Sequence, residues 1–142
     1  MLADSERLAG RLGKASLFSN LTQKQLKSLA KSGTERSFDA GKLIIKEGDT
    51  GVGFFLILSG KVEVRRKGKL VSTLSAGDFF GEMGVIDDQP RSADVVAVSP
   101  TTTFALTAWA FAGAVTSNPE MALKMMKVLV SRLRSSTKTL TE

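Results

Sequence analysis

The chain has 142 residues, 42% hydrophobic and 24% charged, with a formal net charge of +6, which fits one core and a single domain over 1–142 with an ordinary soluble balance. It contains no cysteine and no histidine; this excludes disulfides and thiolate chemistry and removes the commonest general base and metal ligand, so a zinc or copper site is not expected. No apolar run reaches the ~18–20 residues of a bilayer span, the opening MLADSERLAG has no apolar signal core, and a cytoplasmic location is expected.

In chain order, helices are expected over residues 5–32, a strand-rich body over 35–107 and helices again over 108–135. Leu8, Leu12 and Ala15 recur at helical spacing, and Phe18-Ser19-Asn20-Leu21 breaks the pattern. Thr22 and Gln25 have capping-box spacing, Leu26, Leu29 and Ala30 form the stripe that follows, and Gly33 ends the helix. Short strands then alternate with glycine turns: Leu43 to Ile45, Phe54 to Leu58, an alternating Val62 and Val64, Leu70 to Leu74, Ala93 to Val98 and Thr103 to Thr107. Lys67-Gly68 marks a hairpin turn, so the basic run Arg65 to Lys69 reads as a solvated tip rather than a nucleic-acid patch. This spacing fits a sandwich, jelly roll or barrel.

Thr107 can cap a short helix carrying Trp109 and Phe111. Asn118-Pro119-Glu120 supplies an N-cap, a first-turn proline and an acid. The helix that follows puts Ala122, Met125, Met126, Leu129, Val130 and Leu133 on one apolar face, and Lys124, Lys127, Ser131, Arg132 and Arg134 on the polar one. From Ser135 the pattern is lost and the helix is expected to fray.

The chemistry concentrates in Phe80 to Ala93, FGEMGVIDDQPRSA. Gly81 permits an unusual φ or a close backbone approach. Glu82 to Ile86 can open a helical turn whose free N–H groups attract an anion. Arg91 offers phosphate a planar, permanently charged fork, and Ser92 adds a hydroxyl. A carboxylate at Glu82 would repel a bare phosphate, but it suits a ligand that also carries a hydroxyl donor such as a ribose 2′-OH. No Walker-type lysine loop for a polyphosphate is present. Asp87-Asp88 has no further acid to complete a metal site and reads as a solvated turn.

Phe80-Gly81-Glu82-Met83 with Pro90-Arg91-Ser92-Ala93 resembles the phosphate-binding cassette of the cyclic-nucleotide-binding domain family, which includes catabolite activator proteins, kinase A regulatory subunits and cyclic-nucleotide-gated channels. Leu17 to Leu21, Ile45 to Asp49, Leu58 to Val62 and Asn118 to Glu120 resemble other signatures of that family. The resemblance implies a mainly β fold, an eight-stranded jelly-roll β-roll flanked by N-terminal helices and a C-terminal lid helix. It implies that Arg91 binds the cyclic phosphate, that Ser92 and Ala93 donate to it, and that Glu82 accepts from the 2′-OH. Gly81 and Met83 would shape the loop. Val64 and Val71 would be core residues that also line the base pocket, with Met83 closing it and Arg132 capping the base.

The implied ligand is cAMP, with cGMP as the alternative; Ser92 stands where a threonine supports cGMP in this family. Gly51-Val52-Gly53 departs from a place that is often acidic or polar. No helix-turn-helix follows the lid helix, so neither DNA binding nor an enzymatic activity is expected of this chain. The output would be an unidentified effector domain or protein. A ligand-free interaction domain that pairs through its last helix is the competing reading, and a cupin-like enzyme would want histidines.

Overall fold

A computed structural model describes residues 4–48, 53–87 and 90–141. Asp49, Gly51, Val52, Asp88 and Gln89, discussed above, lie outside these residues, as do the side chains of Met83 and Asp87. The order is α1 (Asp4–Leu12), a 3₁₀ turn (Ser16–Phe18), α2 (Gln23–Ser32), β1 (Thr34–Phe38), β2 (Leu43–Ile45), β3 (Phe54–Ser59), β4 (Lys61–Arg66), β5 (Lys69–Ser75), β6 (Phe79–Phe80), α3 (Glu82–Asp87), β7 (Asp94–Ala97), β8 (Thr101–Leu106), α4 (Ala108–Ser117) and α5 (Pro119–Thr141). Among the described residues the strands form two four-stranded antiparallel sheets, β1-β8-β3-β6 and β2-β7-β4-β5. This is the expected eight-stranded β-roll with helices at both ends.

Strand β3 explains how one short apolar run serves two cores. Successive side chains of a strand point to opposite faces. Phe54 and Leu56 therefore join Leu12, Phe18, Leu26, Phe104, Phe111 and Met121 beneath the helices. Phe55 and Ile57 join Ile45, Val62, Phe80 and Val95 between the sheets. Phe79 and Phe80 divide in the same way, and Phe55 stacks on Phe80 with ring centroids 5.0 Å apart. Both faces of β3 are covered, which is why its sequence is apolar without alternation.

The helix ends largely follow the sequence signals. The Thr22 hydroxyl accepts from Gln25 N at 3.1 Å, and the Gln25 side chain accepts from Thr22 N at 2.8 Å. Thr107 caps α4 by accepting from Ala110 N at 3.1 Å. Asn118 closes the end of α4: its side-chain amide donates to the Ala114 carbonyl at 2.9 Å. Gly33 is set by packing and has an extended backbone, φ −127°. A Cβ there would stand 2.5 Å from the Phe104 ring and 2.7 Å from the Ala105 carbonyl.

Four expectations need correction. Strand β8 begins at Thr101, directly after Pro100, and α5 continues to Thr141 instead of fraying from Ser135. The apolar stripe of α5 is not one buried face. Met121 and Met125 are buried, whereas Leu123, Met126, Val130 and Leu133 are exposed, because the stripe is wider than the surface the helix lies on.

Val71 is not a core residue and is 61% exposed. Val64 pairs with Ser72 and Arg65 with Leu70, so Val71 is the extra residue of a β-bulge and drops out of the inward alternation. The bulge follows a two-residue turn in which Lys67 and Gly68 both take positive φ, 52° and 78°. This geometry matches the twist of a tight hairpin.

Candidate functional site

The cassette begins where β6 ends. Gly81 has φ +87°, and a Cβ on it would stand 2.5 Å from the Gly53 carbonyl. Only glycine can turn the chain here while the segment before β3 approaches so closely. The turn aims the Glu82 side chain inward at the first position of α3, and the polypeptide returns through Pro90 to Arg91 at the entry to β7.

Arg91 is buried, 6% exposed. Its Nη1 donates to the Gly81 carbonyl at 2.6 Å and its Nη2 to the Gly53 carbonyl at 2.9 Å. Its Nε is buried with no partner. Among the described residues no carboxylate lies within ion-pair distance of this guanidinium. Burial pulls its pKa down from the ordinary arginine value, and the charge of nearby Glu82 pulls it back up.

Glu82 is also buried, 5% exposed, and has a close partner. Its Oε1 accepts from Arg132 Nη1 at 2.9 Å, and Arg132 Nη2 donates to the Phe79 carbonyl at 2.7 Å. The Arg132 guanidinium lies 4.6 Å from the centroid of the Phe79 ring. Burial raises the Glu82 pKa above the ordinary carboxylate value; the Arg132 charge opposes that most, with lesser help from a backbone N–H and from Arg91.

Neighbouring turns hold the cassette from behind. Gly48 N donates to the Arg91 carbonyl at 2.8 Å. Arg66 Nε donates to the Ser92 carbonyl at 3.1 Å, and Glu47 N donates to Asp94 Oδ1 at 2.6 Å. Glu47 Oε1 in turn accepts from Lys67 N at 3.0 Å. The basic hairpin tip is thus partly engaged, since Arg65 also pairs with Glu63 at 2.6 Å.

The structure therefore brings Gly81, Glu82, Arg91 and Arg132 together. Ser92 is exposed and Ala93 half-buried beside Arg91, and Val64 is half-buried against the inter-sheet core. Exposed Val71 stands apart from that core. Arg132, expected on the polar face of α5, faces the cassette and grips Glu82. The framing by Glu47, Arg66 and Asp94 has one signal in the sequence, the placement of charged residues at a glycine turn, a hairpin tip and a strand start, which does not by itself point to it.

A cavity of about 130 Å³ lies behind Arg132, between the 3₁₀ turn, the β5–β6 turn and α5, lined by Leu17, Asp78, Phe79, Lys124, Val128 and Arg132 among others. It excludes Gly81, Glu82 and Arg91. No helix among the described residues is long and apolar enough to cross a membrane.

A buried arginine with spare donor capacity beside a buried carboxylate can take an anion and a hydroxyl together. The comparisons with known proteins point the same way. The family profile described as "Cyclic nucleotide-binding domain" matches residues 35–118. A cAMP-dependent protein kinase regulatory subunit of Yarrowia lipolytica is 38% identical over 90 residues, 62% of this chain and 24% of that protein. A cGMP-dependent protein kinase of Caenorhabditis briggsae is 34% identical over 95 residues, 63% of this chain and 13% of that protein. The catabolite activator protein of Thermus thermophilus superposes with a TM-score of 0.78 at 31% identity, over 88% of this chain and 61% of that one. The chain thus corresponds to a minor part of the curated relatives it matches.

Proposed function

Because the chain belongs to the cyclic nucleotide-binding domain family, we propose that it is a sensor module that takes cAMP, with cGMP as the alternative ligand, and reports occupancy through α5. The observation that carries this reading is Arg91, a buried guanidinium that, among the described residues, donates to two neutral carbonyls and keeps an unpartnered Nε. A buried charge without an ion-paired partner is costly, and a singly charged cyclic phosphate would supply one.

In this reading Arg91 takes the phosphate, with Ser92 and Ala93 donating from the start of β7. Glu82 takes the ribose 2′-OH, and Gly81 and Met83 shape the loop. Val64 borders the base from β4 and Val71 from the bulge of β5. An exposed Val71 suits this role: a nucleotide base arriving there would cover apolar surface that the fold leaves open. The chain itself performs no chemistry on the ligand, and the output is an effector domain or protein reached through α5.

The test is displacement. Fluorescent cAMP should bind the wild-type domain and be released by unlabelled cAMP or cGMP, whose relative potencies give the preference. No binding by either nucleotide would overturn the reading. It would favour the second reading, a ligand-free interaction domain, for which the exposed Leu123, Met126, Val130 and Leu133 offer a surface.

A further inference from the structure

Resting on that reading, we propose that Arg66 is a positioning residue for the phosphate: from the β4–β5 hairpin it holds the Ser92 carbonyl and so fixes the donors at the far end of the cassette.

The hairpin carries the basic run Arg65 to Lys69, and one of its cations does more than keep a tip soluble. Arg66 Nε donates to the Ser92 carbonyl at 3.1 Å. One residue earlier, the Arg91 carbonyl accepts from Gly48 N at 2.8 Å. The two peptide units that flank Ser92 are therefore each tied by their oxygen. A peptide unit is planar and trans, so its N–H points opposite to its C=O. Tying both carbonyls sets the directions of the Ser92 N–H and the Ala93 N–H. Among the described residues neither N–H donates to a backbone carbonyl. Ser92 is exposed and has little packing of its own to hold these donors still.

The hairpin is itself held. Pairing of Arg65 with Asp94 sets Arg66 beside the residues that lead into β7. Lys67 N donates to Glu47 Oε1 at 3.0 Å, and Glu47 N donates to Asp94 Oδ1 at 2.6 Å. These bonds join the Glu47-Gly48 turn, the hairpin tip and residues 91–94 in a ring. Of the four donors in it, Arg66 is the one that is a side chain. It is also the one that a substitution can remove without touching the backbone.

The bond uses the inner nitrogen of the guanidinium, so its geometry can be kept without its charge. Glutamine carries its amide nitrogen at the same distance along the side chain as arginine carries Nε. Methionine has a similar length and no donor.

The experiment titrates wild type, Arg66→Gln and Arg66→Met with cAMP and with its two phosphorothioate diastereomers, in which sulfur replaces one or the other exocyclic phosphate oxygen. Arg66→Met should bind cAMP about threefold to tenfold more weakly, the net worth of one hydrogen bond. Arg66→Gln loses the same charge but should stay within about twofold of wild type. A loosened donor matters less where sulfur already stands in place of its acceptor. The loss in Arg66→Met should therefore be clearly smaller for one diastereomer than for cAMP, and the same as for cAMP with the other. Because Arg66 is exposed, both variants should melt within about 3 °C of wild type; a larger fall in Arg66→Met overturns the role in favour of a purely structural one. Wild-type affinity in Arg66→Met, or equal weakening in Arg66→Gln and Arg66→Met, overturns the positioning role and leaves the sensor reading standing. An equal loss for cAMP and both diastereomers overturns the link to the phosphate. Failure of the wild type to bind cAMP overturns the sensor reading and the role of Arg66 with it.

Discussion

Glu82 and Arg132 stand 50 positions apart and meet at 2.9 Å, one at the first position of α3 and the other well along α5. The contact joins the cassette to the C-terminal helix through a single buried carboxylate. It makes the ligand site and the mobile element of the proposed sensor parts of one device.

Replacing Arg91 should separate binding from folding. Arg91→Leu loses the phosphate partner, and cAMP affinity should fall roughly a hundredfold or more, the cost of deleting one member of a buried charge pair. The melting midpoint should move by no more than about 5 °C, because relief from burying a charge offsets the two carbonyls left unpaired. Calorimetry and a thermal melt on the same sample check both halves.

Gly81→Ala should be costly for two reasons that act together. The backbone at φ +87° is disfavoured for alanine, and the new methyl would meet the Gly53 carbonyl at 2.5 Å. A loss of about 2–4 kcal/mol is expected in urea unfolding, with weaker nucleotide binding in whatever remains folded.

Gly33→Ala tests close packing alone, since φ there is −127° and carries no strain. The methyl would stand 2.5 Å from the Phe104 ring, and about 1–3 kcal/mol should be lost. Phe104→Ala should cost about 3–5 kcal/mol by opening a cavity under α2. The double variant should lose less than the sum of the two single losses, because alanine at 104 removes the ring contact and leaves only the Ala105 carbonyl crowding the methyl at 33. Unfolding curves for the three proteins decide it.

The pH dependence follows from Glu82. Burial raises its folded pKa above the ordinary 4.5, so between the unfolded and folded values the native state binds more protons than the unfolded one. Stability contributed by this group is therefore present below the unfolded pKa and declines as pH rises through the window to the folded pKa. Urea unfolding from pH 4 to pH 7 should show Glu82→Gln gaining relative to wild type as pH rises, with the difference levelling off above the window. A flat difference across that range would contradict the raised pKa.

Much of this was legible from the amino-acid pattern because local chemistry fixes it. The capping box at Thr22, the cap at Thr107, the turn at Lys67-Gly68 and the cassette from Gly81 to Ala93 depend on neighbours within a few residues. The alternation within β3 was hidden because both of its faces are buried. The bulge at Val71 was hidden because it depends on how β5 pairs with β4. Arg132 is placed near the site by the family resemblance alone: helical periodicity gives a direction around α5 but not which charged residue finds a buried carboxylate far away in the chain. The mixed stripe of α5 likewise reads as one face until the surface beneath it is known.

Helix α5 is fixed at Met121 and Met125 and runs to Thr141. Sixteen residues beyond Met125 at about 1.5 Å each make a rigid arm of about 24 Å. A tilt of only about 10° about Met125 would carry the far end of that arm about 4 Å. In the proposed sensor, a shift of ångström size near Glu82 would therefore be magnified at the far end of α5.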